Sequence, residues 1–281
     1  MILVTGSSGL VGREVAGRLA GRAPVRLALR DPARGGENAA DAERVRFDFG
    51  DLSTFEAALR GVGQVFLLRP PRLARPRRDF GPFVAAMRRA GVGQVVFLSV
   101  RGAASNPLLP HHGIEKLLEA SGLAWTYLRP NDFMQNLATV HRADIRDRGE
   151  IWAPAGRGRT SFVDVRDVAE AAARTLTEPG HERRAYTLTG GEALGLEEVA
   201  ALLSRALGRP VAYRNPGIPA FLRHNRAAGW PFAFGLVMAG VYTVARLGLA
   251  AEVTPDLARL LGRPPTALRS FIGDYAAVWR R

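Results

Sequence analysis

With 281 residues, 47% of them hydrophobic, the chain can bury the core of one large α/β domain or of a domain with an attached lobe. The absence of cysteine excludes disulfides, thiolate metal sites and cysteine nucleophiles. A net charge of +13 raises nucleic acid as a partner, but Lys116 is the sole lysine among 39 basic residues. That arginine bias is what a GC-rich coding sequence produces, and no recognition-helix signature accompanies it, so no nucleic-acid partner is expected.

Ile2-Leu3-Val4 is an apolar run too short for a helix and suited to a buried parallel strand. Gly6, Gly9 and Gly12 follow, and Val11, Val15 and Leu19 then recur every fourth residue, the apolar stripe of a helix. Strand, glycine turn and helix in this order make a dinucleotide-binding entry. Gly6 permits the tight turn, Gly9 lets backbone approach a pyrophosphate, and Gly12 lets the helix pack closely on the strand. The helix start offers free N–H groups and positive partial charge to the phosphates. The spacing is G-x-x-G-x-x-G rather than the commoner G-x-G-x-x-G. The strand starts at residue 2, which leaves no room for a leader and points to a cytoplasmic location.

Val25–Leu29 reads as a second strand ending in Arg30-Asp31-Pro32, where the adenosine ribose of a dinucleotide is recognised. An acidic residue there pairs with a free 2′-hydroxyl, whereas arginine accepts a 2′-phosphate. Arg30 comes first, so NADP(H) is expected in preference to NAD(H); the alternative is that Arg30 merely caps a loop. Val45–Phe47 is a third strand, and Asp48 beyond it is placed either to meet an adenine amino group or to form a turn. Ser53 and Glu56 form a capping box for a helix to Leu59. Gln64–Leu68 and Gln94–Ser99 are strands on either side of a helix from Phe80 to Ala90. Ser99 ends its strand on the edge where open α/β sheets bind ligands. Arg69, Arg72, Arg75, Arg77 and Arg78 read as a solvated, proline-rich loop.

A helix from Pro110 to Ser121, stopped by Gly122, leads to a sixth strand at Leu123–Leu128. Phe133–Asn136 continues as a helix to about Gly149, and Asp164 and Asp167 flank the start of another through Leu176. From Tyr186 short strands alternate with helices. The expected architecture is α/β: a Rossmann-type doubly wound parallel sheet over residues 1–150, with a smaller, mostly helical C-terminal lobe over 151–281 interwoven with it. Residues Ala227 to Ala245 are uncharged over 19 positions, long enough to raise a membrane span. Trp230-Pro231, Gly235 and Gly240 interrupt that pattern. A buried helix lining a substrate pocket or a dimer contact is expected instead, with monomer and homodimer both open and no membrane partner.

Thr5-Gly-Ser-Ser-Gly-Leu-Val-Gly12, Val95-Val-Phe-Leu-Ser99, His111-x-x-x-Glu115 and Ser121-Gly-Leu-Ala-Trp-Thr-Tyr-Leu-Arg-Pro130 share a further property. Together with Phe133-Met-Gln-Asn136, Ser161-Phe-Val-Asp-Val-Arg-Asp-Val168 and Leu261-Gly-Arg-Pro-Pro265, they resemble the NmrA-like atypical short-chain dehydrogenase/reductases over nearly the whole chain. The resemblance implies bound NADP(H) and a C-terminal substrate lobe. It also implies either NADPH-dependent reduction of a small-molecule acceptor such as a quinone, or cofactor sensing without chemistry. Carried over to this chain, Gly6, Ser8, Gly9, Leu10 and Val11 would hold the pyrophosphate and Arg30 the 2′-phosphate. Asp48 and Phe49 would meet the adenine, and Leu68, Arg69 and Ser99 the ribose and nicotinamide edge. One departure stands out. The tyrosine and lysine of active short-chain dehydrogenases fall on Pro107 and His111. His111 is then the candidate proton donor, because an imidazole ordinarily titrates near neutrality; the alternative is a ribose-contacting or helix-starting histidine.

Overall fold

The structure, a computed structural model, describes residues 1–34 and 42–280. The chain opens with β1 (Ile2–Val4), α1 (Leu10–Leu19), β2 (Val25–Leu29), β3 (Glu43–Arg46), α2 (Phe55–Leu59) and β4 (Gln64–Leu68). It continues through α3 (Pro76–Arg89), β5 (Gln94–Leu98), α4 (Pro110–Ser121), β6 (Ala124–Pro130), α5 (Gln135–Ala138), β7 (Glu150–Trp152) and β8 (Arg159–Thr160). Then come α6 (Val165–Thr177), β9 (Arg184–Leu188), β10 (Leu194–Gly195), α7 (Leu196–Leu207) and β11 (Ala212–Arg214). Four helices close the chain: α8 (Ile218–Ala227), α9 (Phe232–Arg246), α10 (Asp256–Leu261) and α11 (Leu268–Tyr275).

Two compact units result. The first comprises Met1–Pro130, Val165–Leu188 and Arg259–Gly262; the second comprises Asn131–Asp164, Thr189–Ala258 and Arg263–Arg281. The chain leaves the first unit at Pro130 rather than near residue 150, and returns to it for α6 and β9. The strand expected near Tyr186 is therefore the seventh strand of the main sheet.

That sheet has the order β3-β2-β1-β4-β5-β6-β9, parallel throughout. Its order reverses between β1 and β4, the switch point at which open α/β sheets leave a crevice beyond the carboxyl ends of their strands. Alternation along the strands sends Val65, Leu67, Val95, Phe97 and Tyr127 into one core with Phe80, Phe83, Ile114 and Leu118 of α3 and α4. α1 and α6 pack together, and Glu170 of α6 takes a bidentate pair from Arg22 just beyond α1 (3.0 and 3.1 Å).

Two local expectations are corrected. Asp51, not Ser53, caps the turn before α2: its Oδ1 accepts from the Ser53 amide at 3.2 Å and hydroxyl at 2.6 Å. α3 begins at Pro76, because a proline is at ease in a helix's first turn and Asp79 accepts from the Arg75 amide at 2.9 Å. Arg77 and Arg78 are thus helical rather than part of a loop. In the second unit β7 pairs with β11 and β8 with β10, around a core that includes Leu203, Phe221, Tyr242, Phe271 and Trp279.

Gly12 sets how closely α1 lies on its turn. A Cβ there would stand 2.2 Å from the Gly6 carbonyl oxygen, a backbone atom with little freedom to move. Gly12→Ala gains about 1 kcal/mol of helix propensity but forces an overpacking that typically costs about 1–3 kcal/mol. Urea unfolding should show a net loss of stability. An unchanged midpoint would mean that the turn yields and that close approach is not what glycine supplies here.

Candidate functional site

The turn at the switch point is tied down on both sides. Thr5 Oγ1 donates to the Phe66 carbonyl at 3.0 Å and accepts from the Leu68 amide at 2.8 Å, fastening the end of β1 to β4. Ser7 Oγ reaches the Ala28 carbonyl of β2 at 3.2 Å. Gly6 adopts φ +64°, and a Cβ on it would press on Leu68 at 3.0 Å. The Gly9 amide closes the turn onto the Gly6 carbonyl at 2.9 Å. The helical ladder starts with the Arg13 amide on Gly9, so the amides of Leu10, Val11 and Gly12 lie ahead of it. Ser8, Gly9 and Leu10 are exposed, Val11 is buried, and the first turn of α1 carries no acidic residue to fill it. This is a cradle a Cβ would spoil, with open donors at its lip, and it fits an anionic pyrophosphate.

Arg30 follows β2 as an exposed side chain with no hydrogen bond or ion pair to any described residue. Its neighbour Asp31 turns its carboxylate onto the Ala33 amide at 3.1 Å. Asp48 spends one oxygen on the Gly50 amide at 2.9 Å, the turn-forming geometry weighed against an adenine contact. Phe49 is half-buried and leans on Phe47, Phe80 and Phe83, with ring centroids 4.8 to 5.5 Å apart.

Beyond β4 the Arg69 guanidinium curls the proline-rich loop around itself, donating to the carbonyls of Pro70, Pro71 and Leu73 at 2.8–3.2 Å. Its Nε donates to His111 Nε2 at 3.2 Å, while the His111 ring stacks on Phe97. Arginine has no acceptor, so Nε2 must carry the lone pair and the ring proton sits on Nδ1. Nδ1 is buried and has no partner among the described residues. Burial first, and the Arg69 charge second, depress the imidazole to about 3. The expectation of a histidine poised near neutrality is corrected: this one is a neutral ring with one N–H to offer.

Glu115, the last residue of the His111-x-x-x-Glu115 motif and one to which the sequence assigns no role, is where these polar groups converge. Ser99 Oγ, 4% exposed, donates to Glu115 Oε1 at 2.6 Å. Arg129 grips the same carboxylate with two bonds, at 3.0 and 2.7 Å, and Tyr127 Oη donates to the Glu115 main-chain carbonyl at 2.8 Å. Burial pushes the Tyr127 phenol up, removing it as an acid. Spacing held the one available signal: His111 and Glu115 are four apart and share a face of α4. Pro107, at the tyrosine position of the dehydrogenase pair, lies in a turn ahead of α4.

The second unit holds a cavity of about 250 Å³ lined by Met134, Phe162, Glu192, Leu194, Pro265 and Leu268 among others. Among the described residues no cluster could hold a metal ion, and no helix is long and apolar enough to cross a membrane.

A glycine cradle at the switch point of an all-parallel sheet defines a nucleotide-binding α/β protein of Rossmann type. The chain belongs to the NmrA-like family, which it matches over residues 1–245. It is 35% identical to an NAD(P)H azoreductase of Xenophilus azovorans over 287 residues, covering 99% of each chain. To a (4-alkanoyl-5-oxo-2,5-dihydrofuran-3-yl)methyl phosphate reductase of Streptomyces griseus it is 37% identical over 285 residues, again covering 99% of each. An NADPH-dependent quinone oxidoreductase of Escherichia coli, solved in complex with NADPH, superposes with a TM-score of 0.89 at 28% identity, covering 98% of this chain and 99% of that one.

The tautomer of His111 is directly measurable. In protein carrying ¹⁵N-labelled histidine, this ring should stay neutral with its proton on Nδ1 from about pH 5 to 8, because its pKa lies far below that window. Arg69→Ala should free Nε2 and move the titration back toward the ordinary value. A parent ring that protonates near 6.5, or carries its proton on Nε2, would contradict the arrangement.

Proposed function

We propose that this protein is an NADPH-dependent oxidoreductase that reduces a small acceptor such as a quinone. The observation that carries the reading is the open glycine cradle followed, at the end of the next strand, by an Arg30 without a partner among the described residues, whose acidic neighbour is occupied elsewhere. Full-length likeness to reductases supports the same conclusion.

When bound, the nicotinamide supplies the hydride, and the protein's task is to bind, orient and exclude water. Gly6, Ser8, Gly9, Leu10 and Val11 hold the pyrophosphate through main-chain donors. Arg30 takes the 2′-phosphate with its planar fork. Asp48 and Phe49 border the adenine, and Leu68, Arg69 and Ser99 the ribose and nicotinamide edge. Ser99 has given its proton to Glu115, so it accepts rather than donates. His111 offers the converse, a fixed N–H at Nδ1. As a neutral ring it polarises an oxygen by hydrogen bonding, and solvent supplies the proton of the reduced acceptor. The cavity of the second unit, mostly apolar with one carboxylate, suits a small, weakly polar acceptor.

A second reading, cofactor sensing without chemistry, draws on the missing tyrosine–lysine pair and on a histidine whose burial holds its pKa well below neutrality. NADPH oxidation across a panel of quinones separates the two: a sensor binds the cofactor tightly and turns over none of them.

Cofactor choice rests on one residue. Hydrogen bonds to charged groups contribute about 1.5–3 kcal/mol, so Arg30→Ala should weaken NADPH roughly 10–100-fold and leave NADH nearly unchanged. Titrating both cofactors against both proteins decides it. Equal losses for the two, or a parental preference for NADH, would remove Arg30 from this role.

A further inference from the structure

α9 is apolar on both of its faces. Gly235, Met238, Ala239, Tyr242 and Ala245 point into the core of the second unit, where the Tyr242 ring meets Phe221 and its hydroxyl lies 2.7 Å from His141 Nε2. The opposite face carries Phe232, Leu236, Val237, Val241 and Val244, and Leu247 continues it. These side chains are 37% to 67% exposed. A surface helix ordinarily turns a polar face outward. Here the outward face holds no charged residue between Ala227 and Ala245, in a chain whose net charge is +13.

We propose that this face is the contact between two copies of the chain, paired across a twofold axis with the two α9 helices antiparallel. Three observations select a second copy as the occupant. Two such basic molecules repel wherever arginines meet, and this uncharged face is a surface on which they can approach without that cost. From these exposures the apolar area comes to on the order of 600 Å², the upper end for the largest patch of a monomer and about three-quarters of the ~800 Å² per partner of a standard interface. Gly240 lies near the middle of the face, and a Cβ built on it meets nothing within 4 Å. With Ala233 one heptad earlier, it lets a second backbone come close. Placing the axis between Gly240 and Val241 sets Val237 of one copy opposite Val244 of the other. An interfacial membrane helix, by contrast, lies with a basic polar face in water, whereas the other face of α9 is already buried in protein.

Sedimentation velocity on the purified full chain should show a dimer at micromolar concentration. Val237→Arg and Val244→Glu change exposed side chains, so each variant should keep the parental far-UV circular dichroism and melting curve. Each should also weaken association by about 100-fold or more, because the dimer would bury unpaired charge. Mixed together, the two variants should pair again as a heterodimer. A parent that stays monomeric throughout overturns the proposal, as do variants that remain dimeric. If the monomeric parent pellets with phosphatidylcholine vesicles, lipid rather than a second copy covers the face. Folded, monomeric variants that fail to pair when mixed overturn the antiparallel register.

Discussion

Glu115 stands where β5, β6 and α4 meet, and its carboxylate gathers Ser99 and Arg129 around it. It is 2% exposed, so its charge is tolerable only because Arg129 matches it with two hydrogen bonds and Ser99 with a third. Such a pair need not add net stability, because both charges forfeit their water. Removing one partner strands the other, at about 3–5 kcal/mol. The pair therefore acts as a pin. It fixes the rotation of α4 against the sheet, and one turn earlier on the same face it delivers His111 to the Arg69 guanidinium.

The chemistry follows from which donors remain. Ser99 has committed its proton and keeps lone pairs; His111 has committed Nε2 and keeps an N–H. Tyr127 is tied to main chain. What is left is a set of fixed hydrogen-bonding positions and no group among these that changes charge near neutrality. That inventory suits a reaction in which a cofactor brings the electrons and the protein brings placement. It differs from the tyrosine–lysine pair of active short-chain dehydrogenases, whose positions are held here by Pro107 and His111.

Much of the fold could be read along the chain because its signals are local. The glycine spacing, the apolar strands and the Gly122 stop each report on a few neighbouring residues, and the parallel sheet follows from their alternation. The departures lie where a local signal meets a partner or a competitor outside its own pattern. Nothing near Tyr186 says whether its strand joins a small lobe or returns beside β6; pairing with Thr126–Pro130 decides it. Ser53 and Glu56 have a capping-box pattern, yet Asp51 stands two residues earlier and is the better acceptor. The site divides in the same way. Residues of the cradle were legible because their role is conformational. The pin was not, since Glu115 and Arg129 become partners only through the β5–α4–β6 crossover, and the character of His111 depends on burial that no spacing encodes.

Charge shows the same contrast between total and placement. Many of the arginines that produce the +13 are structural donors. Arg26 is buried and feeds the carbonyls of Ala57, Ala58 and Arg60 while pairing with Glu43. Arg209 does the same for Ile145, Arg146 and Trp279. A guanidinium with five donors serves well as a tie for loose main chain, and each one so used adds a positive charge that says nothing about partners. Arg30 differs from these by position: it stands exposed at the end of β2, with its fork unspent on any described residue. The face of α9 differs by lacking charge where the rest of the surface has it. Both stand out as departures from the molecule's own average, a guanidinium unspent among the described residues at a strand end and a helix face without charge.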